Sequence, residues 1–350
     1  MARPLDRREL ADKSFTCLPG CGFCCTFQPE ASPAELKALR ATRTFIPVLV
    51  ADGRTYLGLQ GEHGACHLLK DRQCSAYADR PAHCRFFPFH VYFGERTEVY
   101  VDLSCRGVVD ARGAALDRAF SESGAEAAAA AHADGPSDAR KAHRLFREKA
   151  LAEDAWTDPR GAIEALRARA PALATGAEVA RLAEAAGESA TLDALAQAAL
   201  SAFDGPVRTR PFWLDADLRW LTLDLDGADA RLVEMQEDGR LDERGRIEGL
   251  ARHAEVPTAV AEALAPYARI LYARDVFRGS SFARVDDHGY ALGVAEAVHA
   301  RAAEIGADLA LRARVVAAVR PALGPEQVAG EVARFYDADF LDSTTIGGFL

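Results

Sequence analysis

Cys17-Leu-Pro-Gly-Cys21-Gly-Phe-Cys24-Cys25 puts four thiols on nine residues. Pro19, Gly20 and Gly22 forbid a regular helix, so the segment reads as a loop. Four more cysteines follow at Cys66, Cys74, Cys84 and Cys105, and the remaining 245 residues have none. An even count invites disulfides, but no apolar run follows the charged start Met1-Ala-Arg-Pro-Leu-Asp-Arg-Arg, so no secretory signal is expected. The expected compartment is the cytoplasm, where clustered cysteines serve as metal ligands more often than as staples.

Thiolates bind soft and borderline metals strongly, and short spacings let one loop deliver several at little entropic cost. Cys17-x3-Cys21-x2-Cys24 supplies three such sulfurs. The glycines let backbone N–H groups approach them, which stabilises anionic thiolate and tunes a cluster. Adjacent residues seldom ligate one ion, so Cys24 and Cys25 should point differently. Eight thiols allow two four-sulfur sites, or one site plus structural or free cysteines. Cys105 taken alone reads equally well as a buried small apolar residue.

Working outward, Ser32-Pro33-Ala34-Glu35 opens a helix: Ser32 as cap, Pro33 in the first turn, Glu35 completing a capping box. Residues 1–15 read as a polar helix or arm and 54–59 as a strand. His90–Phe93 and Val99–Leu103 flank a Gly94-Glu-Arg-Thr turn, a hairpin signal. Residues 1–110 thus form a small, loop-rich cysteine-cluster domain with little core of its own, which a metal would help to hold together. Residues 111–140, rich in Ala, Gly and Ser, read as a linker or a poorly anchored helix. The domain over 141–350 is mainly helical, with apolar periodicity near 141–153, 160–170, 176–186, 190–203, 257–277, 286–305, 308–319 and 325–336. Pro266 is expected to kink or split 257–277. Residues 219–225 and 231–235 look like strands. The fold class is α+β.

Net charge is −10, which argues against a nucleic-acid binder, and no stretch approaches the ~20 apolar residues of a membrane span. Lys and Arg number 14 against 13 Asp and Glu in residues 1–110, and 28 against 39 beyond, so the acidity lies in the second part. His63, His67, His83 and His90 lie near cysteines in sequence, but each reads more readily as a solvent-facing or hydrogen-bonded loop residue. Arg80 and Arg85 flank Cys84. Arg85 is the candidate to offset an anionic cluster or receive a substrate carboxylate. Phe86, Phe87, Phe89, Tyr92 and Phe93 would wall the site off from water, or simply fill this domain's core. Asp224-x-Asp226-Gly-x-Asp229 breaks calcium-loop spacing and reads as an acidic turn.

The order Cys24-Cys25, Cys66-His-Leu, Cys74-Ser-Ala-Tyr77, Arg80-Pro81-Ala-His-Cys84-Arg85-Phe-Phe-Pro88 resembles the CxxCxxCC cysteine-cluster family, described as zinc- or iron-chelating. The resemblance spans about residues 15–108. Three residues rather than two separate Cys17 from Cys21, and Arg106 stands where the family's trailing Ser-Cys step has proline. It implies zinc or an iron–sulfur cluster, of the four-iron four-sulfur kind, held by a subset of Cys17, Cys21, Cys24, Cys25, Cys66, Cys74, Cys84 and Cys105. One branch, the flagellin lysine-N-methylases, is similar in length and in its helical second part. That branch implies an alternative: an S-adenosylmethionine-dependent protein lysine N-methylase-like enzyme, with a protein substrate, Arg85 toward the methyl donor, and Tyr267 or Tyr272 toward the amine. The helix carrying those tyrosines reads more simply as core. Cys17-x3-Cys21-x-Phe23-Cys24 is also similar to radical S-adenosylmethionine enzymes, but the alternating β/α barrel such enzymes need has no counterpart in the pattern here. Dinucleotide and P-loop fingerprints are missing.

Overall fold

The computed structural model describes residues 5–340, except 44, 52, 62, 94–96, 110–112, 134–137, 159, 163, 166–211, 227–228, 249–255, 288–289 and 292. The helices expected at 176–186 and 190–203, and the greater part of 160–170, lie outside the described residues. The class is α+β, with a strand-rich N-terminal region and a mostly helical C-terminal one.

The capping box forms as written: the Glu35 N–H donates to Ser32 Oγ at 3.3 Å, and the Ser32 N–H donates to the Glu35 carboxylate at 2.9 Å, opening the helix Pro33–Thr42. The hairpin pairs β7 (Phe89–Phe93) with β8 (Thr97–Val101). Among the described residues 5–15, the helix expected over 1–15 is reduced to a short 3-10 turn at Arg8–Leu10. Instead β1 (Leu5–Asp6) lies parallel to β8, and β2 (Ser14–Phe15) pairs with β9 (Ala114–Ala115). The open edge of β8 supplies hydrogen bonds that a short polar helix would lack. Two small ladders complete the region: β3 (Val48–Ala51) with β4 (Arg54–Leu57), and β5 (Leu69–Lys70) with β6 (Gln73–Cys74). Helices occupy Leu116–Ser123, Ala125–Ala133 and Asp138–Ala152.

The second sheet is an antiparallel meander of β10 (Trp213–Leu214), β11 (Trp220–Asp226), β12 (Asp229–Met235) and β13 (Leu241–Ile247). Strand β13 escapes sequence reading because Leu-Asp-Glu-Arg-Gly-Arg-Ile is a charged, mostly exposed edge. Of the acidic stretch, Asp224 and Asp226 end β11 and Asp229 opens β12, with Asp224 paired to Arg231. Successive side chains alternate between faces. Trp213, Leu221, Leu223 and Leu232 join a core with Leu264, Leu271, Val316 and Val332 of the C-terminal helices. Leu214 and Trp220 join a different core, with Phe23, Cys25, Cys66 and Leu69. One sheet therefore serves both the helices and the cysteine region.

Two helix boundaries differ from expectation. Pro266 does not split its helix, which runs from Thr258 to Ala273; burial of Val260, Leu264, Tyr267 and Leu271 offsets the missing hydrogen bond, a loss of about 3 kcal/mol. The break comes at Arg274, where the next helix, Asp275–Asp287, begins on caps from another strand. The N–H of Asp275 donates to the Glu98 carboxylate at 2.8 Å, and that of Val276 to the Tyr100 hydroxyl at 3.1 Å. Residues 286–305 and 308–319 are not two helices: one helix, Val294–Val319, passes through Gly306, because Ile305, Leu309, Ala313 and Val316 bury a continuous stripe. The last helix is Pro325–Phe340. Among the described residues no helix is long and apolar enough to cross a membrane.

Arg274 ties the N-terminal region to the helices. Its buried guanidinium donates to Asp337 at 2.6 Å, to Glu9 at 2.6 and 3.0 Å, and to the Val101 carbonyl at 3.0 Å. Asp337 also accepts from the Tyr267 hydroxyl at 2.8 Å and the Leu103 N–H at 2.7 Å. Arg274→Met should lower unfolding free energy by about 3–5 kcal/mol, the usual loss when one partner of a buried pair is removed. Glu9→Gln, at the less buried end, should lose under half of that; chemical denaturation of both variants is the check.

Candidate metal centre

The cysteine loop is shaped by two left-handed glycines, Gly20 at φ 73° and Gly22 at φ 57°, before a 3-10 turn over Phe23–Cys25. Only Gly22 is hemmed in. A Cβ there would sit 3.0 Å from Trp220 Cζ2 and 3.2 Å from Leu69 Cδ1. Cys66 is tied to this loop by its N–H, which donates to the Cys25 carbonyl at 2.8 Å. Cys74 ends β6, just past a tight turn with Asp71 and Arg72 at positive φ. Cys84 lies in the short helix Ala82–Phe86, and Cys105 immediately precedes the turn Arg106–Val109.

All eight thiols are free. Cys25, Cys66 and Cys105 are buried, Cys21, Cys24, Cys74 and Cys84 half-buried, and Cys17 exposed. Cys24 is the hub, since every other cysteine interacts with it electrostatically. Cys74 reaches Cys17, Cys25, Cys66 and Cys84 as well, whereas Cys105 reaches Cys21 and Cys24. Four sulfurs accept a backbone N–H from two residues ahead: Cys21 from Phe23 at 3.4 Å, Cys66 from Leu68, Cys74 from Ala76 and Cys105 from Gly107. Such bonds favour thiolate.

Burial sets most of the acidities. It pushes Cys21 and Cys66 up to about 12, and Cys84 and Cys105 upward too. The centre behaves differently because the Cys25 thiol shares hydrogen bonds with both Cys24 and Cys74. Cys25 keeps its proton, while those bonds hold Cys24 below the usual thiol range and bring Cys74 down to about 6.

Arg80 is the cation that reaches the most thiols. Its charge is felt by Cys17, Cys24, Cys74 and Cys84, and it lies 3.7 Å over the Tyr77 ring, whose hydroxyl bonds Cys17. Arg85 is exposed and donates to the Arg80 carbonyl at 2.5 Å. Of the histidines, His67 and His83 are exposed, and His90 lies 3.5 Å from the buried Asp102. The aromatic run divides. Phe87 joins Phe23 and Phe27 beside the thiols, Phe86 and Phe89 pack with Phe120, and Tyr92 faces the helices.

Sequence reading missed the cover over the loop. The Trp220 indole N–H donates to the Cys21 carbonyl at 3.0 Å, and the Arg72 guanidinium stacks on that indole at 3.6 Å. The one available signal was Trp220 at the head of a strand-like run.

The donors fit a thiophilic metal by kind and number. Among the described residues, however, no three His, Cys, Asp or Glu side chains already stand in a metal-holding arrangement. Cys24, Cys25 and Cys74 are instead joined by hydrogen bonds.

A loop of mutually interacting free thiols under an aromatic cover defines a thiolate-site α+β protein. Residues 16–106 match the CxxCxxCC family, a candidate zinc- or iron-chelating domain. No curated protein and no solved structure matches the chain.

In metal-free protein at pH 7, Cys74 should be the thiol that iodoacetamide modifies first and Cys25 among the last. Thiolate is the nucleophile, and Cys74 is ionised there and partly accessible. Its labelling should fall as pH drops below about 6. Peptide mass spectrometry over a time course reads the order.

Proposed function

We propose that residues 16–106 chelate zinc or iron, in its iron form as an iron–sulfur cluster, through thiols gathered round Cys24 and Cys74. The single observation that carries this reading is the electrostatic reach of Cys24 to all seven other thiols, of which Cys21, Cys25, Cys66 and Cys74 share its apolar surroundings. Cys24 and Cys74 would form the centre, since Cys17, Cys25, Cys66 and Cys84 interact with both of them and Cys21 and Cys105 with Cys24. Bound there, zinc supplies a cross-link between loops, and an iron–sulfur cluster supplies that and a one-electron couple. The chain's own part is to supply anionic sulfur, N–H donors to it and an apolar wall. Arg80 offsets the accumulated negative charge as thiols lose their protons.

The methyl-transfer alternative draws no support from the residues proposed for it. Tyr267 donates to buried Asp337, and Tyr272 is sealed in the helical core. Arg85 faces solvent.

Protein purified anaerobically should carry zinc, or iron with acid-labile sulfide and a brown charge-transfer band. Cys24→Ser and Cys74→Ser should each lower bound metal more than tenfold. Cys105→Ser should lower it less, because Cys105 reaches two neighbours and packs in a separate core. Elemental analysis together with the visible spectrum decides; equal loss in all eight Cys→Ser variants would replace the single centre by two sites.

A further inference from the structure

We propose that Trp220 and Arg72 form a clamp on the Cys21 carbonyl that keeps the cysteine loop closed and governs how fast metal leaves it. The proposal rests on the metal-binding reading above but concerns residues outside every cysteine motif.

Both side chains donate to one oxygen, Trp220 Nε1 at 3.0 Å and Arg72 Nη1 at 3.4 Å. Trp220 is fully buried and comes from β11, about two hundred residues from the loop it holds. Arg72 is itself fixed. Its guanidinium lies 3.6 Å above the indole, and its own N–H donates to the Glu237 carboxylate at 2.5 Å. Glu237 belongs to the β12–β13 turn, whose backbone also meets the cysteine region. The Glu237 carbonyl accepts from the Ala65 N–H at 2.7 Å, and a Cβ on Gly64 would come within 2.3 Å of that carbonyl. The indole fills the space that a side chain at Gly22 would need. Clamp and loop are therefore fitted to one another.

The loop needs such a pin. Gly20 and Gly22 give it backbone freedom, so its closed form must be stabilised from outside. With the Cys21 carbonyl turned toward Trp220 and Arg72, the following Phe23 N–H is directed at Cys21 Sγ, at 3.4 Å. Releasing the carbonyl would loosen that N–H···S contact and let solvent and chelator reach the sulfurs through local opening. Trp220 and Arg72 are positioning residues: neither contributes a metal ligand.

The test compares wild type with Trp220→Phe, which keeps an apolar ring but loses the donor, and with Arg72→Gln. Trp213→Phe is the control. It alters an equally buried indole of the same sheet whose N–H serves Glu331 at 3.3 Å, away from the loop. Two readouts are taken on the full chain: release of metal to a colorimetric chelator, and iodoacetamide labelling of Cys21 in metal-free protein. Trp220→Phe should speed both by roughly tenfold, the equivalent of about one net hydrogen bond, and Arg72→Gln by about fivefold. Trp213→Phe should leave both at the wild-type rate even if its melting temperature falls. Wild-type rates in Trp220→Phe and Arg72→Gln, or equal acceleration in Trp213→Phe, would overturn the clamp while leaving metal binding intact. Wild type that takes up no metal would overturn the metal reading, and Cys21 labelling would then decide the clamp alone.

Discussion

The β10–β13 sheet is a wall used on both sides, and the arrangement of the cysteines depends on it. Alternation along a strand sends Leu221 and Leu223 toward the C-terminal helices and Trp220 toward the cysteine loop. The N-terminal region is built from short ladders, a ten-residue helix and turns, and its own side chains do not by themselves complete the core around the thiols. Phe212, Leu214, Trp220 and Met235 finish that core from the far part of the chain. Registers matter for the same reason: a one-residue slip of β11 would turn Trp220 into the helical core and leave the loop uncovered.

Dryness comes at an electrostatic cost, and the site distributes it. Burial alone makes thiolate unfavourable, as Cys21, Cys66, Cys84 and Cys105 illustrate. Where the sulfurs meet, hydrogen bonding counters burial. Cys25 remains the proton carrier, and Cys24 and Cys74 take the charge under the influence of Arg80. A pocket of this kind holds some anionic sulfur without a metal and has reason to bind one, since a cation relieves the repulsion among the remaining thiols.

The N-terminal region is joined to the helices at a second place by a buried ionic network. Glu9, Asp337 and the Tyr267–Arg274 helix end come from three separate segments, and the Leu103 N–H extends the network toward Cys105. The same junction explains the helix break at Arg274. Glu98 and Tyr100 cap the next helix from β8, so the chain breaks there and not at Pro266, where burial of the helix face holds the turn.

Features governed by short-range chemistry were legible in the residues. The Ser32–Glu35 capping box, the 89–101 hairpin and the loop over Cys17–Cys25 each depend on neighbours within a few positions, and each formed. The thiol spacing likewise announced a soft-metal donor set before any fold was known. Other features depend on what lies across a packed interface. A lone tryptophan does not reveal that its indole will cap Cys21, nor a lone arginine that it will be buried, as Arg274 is, and not exposed, as Arg85 is. The gathering of Cys24, Cys25 and Cys74 into one hydrogen-bonded group joins residues some fifty positions apart through ladder pairing and loop closure. Sequence by itself determined which atoms are available to bind a metal. Only the tertiary structure decided which of them meet, because burial and contact belong to the folded surface and not to the order of residues.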